Sequence, residues 1–413
     1  MVLHEVGGAA SAADPMASFH EAAHAASVSD PHFCAPVDDR TDIEFVLGVI
    51  SSETSHRKNT GAAWRTSVRQ SFFRFSDRLP TTIFKIVLRG INASRAVRDE
   101  ARMHNDTIFL PSSASLAAAR GPLTSTLQWF ACAAHAWPHS LFIGKAEDDT
   151  WLHVPEVLAS LRASHRELIV HYNVTNLFWG ALESYYWNET AQRPFGFSQR
   201  QSWNPNQLFE AACILDARGN ASRSTGVIHM HPSAVHHGPF AFAKGPLYAL
   251  SRALAQRLSS DPPTLARAAA ALETAGTRRY GGHGGVAPNA ETFVWEDVWI
   301  GYALSRLEAP APDVGVISLS FSQYVEEWGF TASPATLIWH AKTKDPSRPP
   351  RLHTHLASGG HCTRRPNSRP RCRRADDTLR GGSCAGGRWV FCSEDKERGC
   401  SDARIDFNKA LKS

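Results

Sequence analysis

No stretch of this chain approaches the roughly 18 consecutive apolar residues that a membrane-spanning helix requires, so no transmembrane segment is expected in it. The start also lacks the apolar core of a secretory signal; Met1 to Arg40 is rich in Ala, Ser and His and reads as disordered. No CxxC pair occurs among the five late cysteines, Cys362, Cys372, Cys384, Cys392 and Cys400. That spacing disfavours a zinc site and points to disulfides. Five cannot pair among themselves, so one is expected to stay free or to reach Cys34, Cys132 or Cys213. There is no internal repeat. A strong charge of one sign is missing too: 44 Lys and Arg against 39 Asp and Glu leave a net charge of +5. The excess collects between Lys342 and Arg374. Such a stretch is either a solvated surface or a patch for nucleic acid, an anionic polysaccharide or a membrane surface; it reads first as solvated, and no nucleic-acid partner is expected.

What is present suits an ordinary globular protein. With 413 residues, 43% of them hydrophobic and 20% charged, the chain can bury one large α/β core or two medium ones. Five N-x-S/T sequons start at Asn92, Asn105, Asn173, Asn188 and Asn220. Together with the cysteines they favour the Golgi or secretory-pathway lumen. Membrane attachment would need an anchor that is not visible in this chain.

The ordered region is expected from Glu44. Phe45 to Ile50, Thr82 to Leu88, Thr107 to Leu110 and Leu141 to Ile143 read as buried strands. Arg57 to Phe73 and Leu123 to Trp137 read as helices between them. This β-α-β alternation predicts an α/β domain with a mostly parallel sheet, whose ligands bind beyond the carboxyl ends of the strands. Further on, Leu168 to Tyr172 and Phe240 to Ala243 are expected as strands, and Leu247 to Leu258 as a helix after a Gly-Pro turn. Gly276 to Ala287 reads as a glycine-rich loop, Glu296 to Leu307 as a helix, Val314 to Leu319 as a late strand and Leu337 to Trp339 as the last apolar run.

Chemistry is therefore sought just after the strands. Glu147, Asp148 and Asp149 follow Phe142 to Ala146, and Pro155 then opens a helix. Adjacent carboxylates repel one another unless solvent or a cation intervenes. Such a turn is either solvated or holds a hard divalent ion such as Mn²⁺ or Mg²⁺. Glu296 and Asp297 start a helix, where paired acids serve as caps that complement the helix dipole or as functional groups. His340 ends the run Leu337 to Trp339, as a structural histidine or a metal ligand. Trp179, Tyr185, Tyr186, Trp187 and Trp203 make an aromatic stretch, either core or a wall on which a sugar packs.

In order and context these motifs resemble the β-1,3-galactosyltransferase and N-acetylglucosaminyltransferase family that includes Fringe, glycosyltransferase family 31. That family has Lys-x-Asp-Asp-Asp where this chain has Lys145-Ala146-Glu147-Asp148-Asp149, and Glu-Asp-Val-x-x-Gly where it has Glu296 to Gly301. Its Gly-x-x-Tyr-x-x-Ser is matched by Gly245 to Ser251; its early arginine element is echoed loosely by Arg57-Lys58 and Trp64-Arg65-Thr66-Ser67. The resemblance covers about Glu44 to His340. Glu147 departs from the family's Asp, and Leu123-Thr124-Ser125-Thr126 lacks its lysine. The cysteine-rich tail has no counterpart.

The resemblance implies a GT-A fold over residues 44–344, flanked by an N-terminal segment (1–43) and a tail (345–413). Asp149 would bind Mn²⁺ directly and His340 would be a late metal ligand. Asp148 would orient the sugar or ribose, Glu147 the neighbouring nucleotide, and Arg57 or Arg65 would contact that nucleotide. Asp297 would be the catalytic base, with Glu296 and Trp187 against substrate. The implied reaction is inverting transfer of a hexose or N-acetylhexosamine, most simply galactose, from a UDP-sugar to a glycan or glycoprotein acceptor. The rivals are a non-catalytic carbohydrate-binding protein and a nucleotide-sugar hydrolase.

Overall fold

The computed structural model describes residues 34, 37–53, 61–90, 93–111, 121–188, 193–196, 236–275, 296–307, 313–319, 323–326, 336–341, 345–357, 371–374 and 389–393. In chain order the first half contains β1 (Phe45–Ser51), α1 (Gly61–Gln70), a 3-10 helix (Phe72–Arg78), β2 (Thr82–Arg89), α2 (Arg95–His104), β3 (Thr107–Leu110), α3 (Gly121–Ala136) and β4 (Phe142–Glu147). The four strands pair in parallel in the order β4-β1-β2-β3. The β-α-β alternation is the one expected from the periodicity. α2 lies where only a charged segment was legible, because it buries little more than Val97 and Ala101.

The second half contains β5 (Thr150–Leu152), α4 (Val154–Tyr172), β6 (Asn176–Asn188), β7 (Arg193–Gly196), β8 (His236–Ser251), α5 (Arg252–Ser260), α6 (Pro262–Ala275) and α7 (Glu296–Ser305). β9 (Val314–Ser318), β10 (Tyr324–Glu326), β11 (Ile338–His340), α8 (Arg348–Ala357), β12 (Arg371–Arg374) and β13 (Trp389–Ser393) follow. β8 runs antiparallel between β4 and β6, and β9 and β13 continue parallel to β6. The result is a ten-stranded, mostly parallel central sheet in an α/β fold. β12 and β13, from the cysteine-rich stretch, form its far edge, with Cys372 opposite Cys392. A separate three-stranded sheet has the order β10-β11-β5.

Two sequence expectations fail. Leu168 to Tyr172, expected as a strand, is the last turn of α4. Val157, Leu161, Ser164 and Leu168 are buried at helical spacing, whereas Ile169 and Val170 are exposed. The helical period outweighs the local β-branched content. Leu247 to Ser251 was expected to open a helix; instead β8 continues to Ser251 and α5 begins at Arg252. Gly245 and Pro246 do not end the strand, because they sit in a bulge: Gly180 pairs with Tyr248 and Leu182 with Ala243, so Lys244 to Leu247 face the single residue Ala181. A proline is tolerated where the ladder is interrupted.

Helices cover both faces of the sheet. α3, α5 and α7 pack Leu127, Trp129, Leu254 and Trp299 on one side. α1, the 3-10 helix and α4 pack Val68, Phe72, Leu158 and Leu161 on the other. Trp129 lies against β1 and β4, its indole N–H donating to the Gly144 carbonyl at 2.9 Å. A Cβ on Gly48 would overlap that ring, so the close approach depends on glycine. Cys34 is bonded to Cys132 of α3. This tethers the segment ahead of β1 and removes both cysteines as partners for the tail. No helix among the described residues is long and apolar enough to cross a membrane. The segment Met1 to Phe33 and the glycine-rich loop Gly276 to Ala287 lie outside the described residues.

Candidate active site

The acidic turn joins β4 to β5 at the carboxyl edge of the parallel strands, the edge where ligands bind in such sheets. β5 pairs antiparallel with β11, which sets His340 opposite Thr150. Side chains alternate along a strand. Trp151 and Trp339 turn into a small cluster with Trp64, Val325 and Leu352, and His340 faces the other way, towards the turn. His340 Nε2 stands 3.3 Å from Asp149 Oδ1 and 3.8 Å from Glu147 Oε2. Both ring nitrogens of His340 are buried and make no hydrogen bond. One ligand atom from each of Glu147, Asp149 and His340 lies within 4.8 Å of the others. Two carboxylates and an imidazole whose nitrogens lack hydrogen bonds fit a divalent cation such as Mn²⁺ or Mg²⁺. Asp148 points elsewhere and accepts a hydrogen bond from Ser51 Oγ, at the end of β1, at 2.5 Å.

The second acid pair arrives on α7. Glu296 is buried, with its carboxylate turned into the interior. Its carboxylate accepts from Lys145 Nζ at 2.9 Å and from the Tyr248 hydroxyl. Lys145 also donates to the Gly245 carbonyl at 2.9 Å, so one lysine in the middle of β4 holds both the helix and the β8 bulge. Burial alone would lower the Lys145 pKa, yet the charges of Glu296 and Glu147 keep it above its ordinary value. Burial, reinforced by Glu296, raises the Tyr248 pKa well above its ordinary value. The hydroxyl therefore stays protonated and donates.

Asp297, the next residue, remains partly exposed. It accepts from the backbone N–H of Gly245 at 3.2 Å and of Val298 at 2.9 Å. Burial of the carboxyl, then the charges of Glu296 and Glu147, push its pKa up to about 7, while Lys145 pulls the other way. A carboxyl titrating there is matched to proton abstraction at neutral pH. Gly245 separates the two acid groups: a Cβ on it would lie 2.7 Å from Glu147 Oε1 and 3.7 Å from Asp297 Oδ2. The gap between Glu147 and Asp297 is thus one that a side chain would close.

The structure brings Glu147, Asp149, His340, Glu296 and Asp297 to one edge, with Asp148 beside them. Arg65 lies deeper: it is buried, pairs with Glu100 at 2.6 Å and donates to the Ser52 carbonyl at 2.8 Å. Arg57 lies outside the described residues. Trp187 is placed on β6 opposite Pro194 of β7 and His237 of β8; its side chain lies outside the description. Of the aromatic stretch, Trp179 is core, its indole N–H donating to Ser160 Oγ at 2.9 Å. Lys145 and Gly245 have no role in the sequence reading beyond their motifs. A lone lysine inside an apolar strand is the signal that was available, since a buried ammonium requires a partner.

Compared with known proteins, the chain matches no family model and no curated protein sequence. Among solved structures it is similar to mouse xyloside xylosyltransferase 1 in its apo form, at a TM-score of 0.32 and 11% identity, over 73% of this chain and 97% of that one. The match is loose, so function has to be read from the chemistry of the site.

Proposed function

We propose that this chain is a metal-dependent, inverting glycosyltransferase with a GT-A-like domain, moving a hexose or N-acetylhexosamine from a UDP-sugar to a glycan or glycoprotein acceptor. Galactose is the donor sugar to try first, on the resemblance in the acidic motifs. The observation that carries the proposal is the presence of two separated acid groups on one strand edge: a ligand set of Glu147, Asp149 and His340, and a lone carboxyl, Asp297, with a pKa near neutrality.

A divalent cation held by the ligand set, Mn²⁺ or Mg²⁺, would neutralise charge on the departing diphosphate as a Lewis acid. Asp148, steadied by Ser51, would orient the ribose or the donor sugar. Arg65 would contribute by fixing the Ser52 carbonyl at the end of β1. Asp297 would take the proton from the acceptor hydroxyl as its oxygen attacks the anomeric carbon. The bond from that carbon to the diphosphate oxygen breaks as the new one forms on the opposite face, which inverts the centre. Lys145 and Glu296 would hold Asp297 at the correct distance from the turn. The Cys34–Cys132 disulfide, with the sequons, supports a place in the Golgi or secretory lumen.

A panel of UDP-sugars tests this, with Mn²⁺ or chelator and with or without a glycan acceptor. The expected result is UDP release that needs Mn²⁺ and rises with acceptor. Release at the same rate without acceptor would make the protein a hydrolase, which the partial exposure of Asp297 also permits. UDP–Mn²⁺ binding without release from any donor would make it a carbohydrate-binding protein.

A further inference from the structure

A second charged group stands beside this site, and no step above uses it. Lys244, next to Gly245 in the β8 bulge, places Nζ 2.7 Å from Glu326 Oε1 of β10 and 3.2 Å from Glu183 Oε1 of β6. The Tyr324 hydroxyl donates to Glu326 Oε1 at 3.0 Å, and Lys244 Nζ lies 5.3 Å from the centre of the Tyr324 ring. Glu326 is the register partner of His340. Because Val325 and Trp339 turn to the opposite cluster, Tyr324, Glu326 and His340 share the face that looks on the acidic turn. The group is therefore continuous with the metal ligands on one side and, through Gly245, with Asp297 on the other.

We propose that Lys244, Glu183, Glu326 and Tyr324 form a subsite that recognises the hydroxyl groups of a neutral sugar ring and disfavours an anionic one. This inference rests on the glycosyltransferase reading and deepens it. Glu183 Oε1 and Glu326 Oε1 share the one Lys244 ammonium, so each carboxylate keeps acceptor capacity that a hydroxyl donor can use. A sugar hydroxyl both donates and accepts. Neighbouring hydroxyls can thus bridge an ammonium and a carboxylate through charge-assisted bonds, which are the strong ones. The lysine occupies the place a cation would take between the two carboxylates, which makes the group unsuited to a second metal. Within the group itself two carboxylates face one ammonium. A uronate or sulfated ring would add like charge, a repulsive element of the kind that sets specificity.

The experiment uses the full chain and the variants Glu326→Gln and Lys244→Met. Glu326→Gln keeps shape at a partly exposed position, so it serves if Lys244→Met unfolds. Transfer is measured to a neutral hexoside and to the matching uronoside, alongside calorimetric binding of both methyl glycosides, UDP–Mn²⁺ affinity and melting temperature. Removing one charge-assisted bond to a hydroxyl is worth on the order of 10-fold. The expected result for Glu326→Gln is an acceptor KM raised by about that factor, unchanged UDP–Mn²⁺ affinity, and a uronoside-to-hexoside ratio shifted towards the uronoside. A rise in donor KM instead, with acceptor KM unchanged, would assign the subsite to the donor's sugar and also supports the inference. Unchanged KM values and an unchanged ratio, or a lowered melting temperature alone, would overturn it and leave the transferase reading standing. Wild-type protein that transfers nothing yet binds the neutral glycoside through Glu326 would keep the subsite and remove the transferase reading. Wild-type protein that binds neither glycoside nor transfers to either would overturn both.

Discussion

Lys145 and Glu296 meet at 2.9 Å in the protein interior, one from the strand that ends in the acidic turn and the other from the first turn of the helix that carries Asp297. Their side chains are 2% and 5% exposed, so solvent screens the pair little. This contact fixes the helix that carries Asp297 against the strand that leads into the Glu147–Asp149 turn. Breaking such a pair leaves one charge buried and uncompensated, which typically costs about 3–5 kcal/mol. Lys145→Met should therefore lose stability of that order in urea unfolding. Lys145→Met with Glu296→Gln should recover much of it, because no lone charge remains. A single variant as stable as the wild type would show that the pair carries no structural burden.

Asp297 predicts a pH dependence. Its carboxyl has a pKa raised from 3.8 to about 7, so the folded protein disfavours the ionised form. The sign follows: no penalty exists below 3.8, and folding loses stability progressively as pH rises from there to about 7. Catalysis needs the ionised form, so transfer should fall tenfold per unit as pH drops below about 7. Asp297→Asn should abolish that limb, lower transfer by about 10²–10⁴-fold and leave UDP–Mn²⁺ binding intact. Transfer at the wild-type rate would remove Asp297 from the mechanism.

Gly245→Ala separates folding from function. The added Cβ would meet Glu147 Oε1 at 2.7 Å, and that oxygen ends a flexible side chain which can swing aside. Stability should hardly change. Mn²⁺ affinity should fall by about 10–100-fold, the range typical of disturbed ligand positioning. Mn²⁺-dependent UDP binding at the wild-type level would place Glu147 outside the ligand set.

Asp149 and His340 differ in consequence. Asp149→Ala should abolish Mn²⁺-dependent UDP binding while the protein still melts cooperatively. His340→Ala removes one ligand of the set and should weaken the metal without abolishing it. Calorimetry with Mn²⁺ and UDP distinguishes these outcomes from two silent substitutions.

The Cys34–Cys132 bond closes a loop with a sequence separation of 98. Cys34→Ala should lower stability by about 2–4 kcal/mol under non-reducing conditions. A reductant should then cost the variant less than it costs the wild type. Equal losses in both would show that this bond contributes nothing measurable.

How much was legible in advance follows from how local each signal is. β1 to β4, α3 and α7 could be read because an apolar run or a helical stripe lies within one short window. Glu147 and Asp149 could be read as a pair because they are neighbours in one turn. His340, far along the chain, and Asp297 could be attached to them only through a family resemblance, since nothing in their own surroundings distinguishes a ligand from a strand end or a base from a cap. The two misread segments show the limit. Val170 lies in an apolar stretch yet is exposed on α4, and Leu247 to Leu250 have helical composition yet lie between two strands that bury them on both sides. The β-α-β periodicity determined the fold class, and the order of the motifs put the acidic turn directly after a buried strand. The tertiary structure alone decided that Glu296 binds Lys145 and Tyr248 while Asp297 is left to titrate near neutrality. That division depends on which of two adjacent carboxyls meets a buried ammonium, and only packing between β4, β8 and α7 settles it.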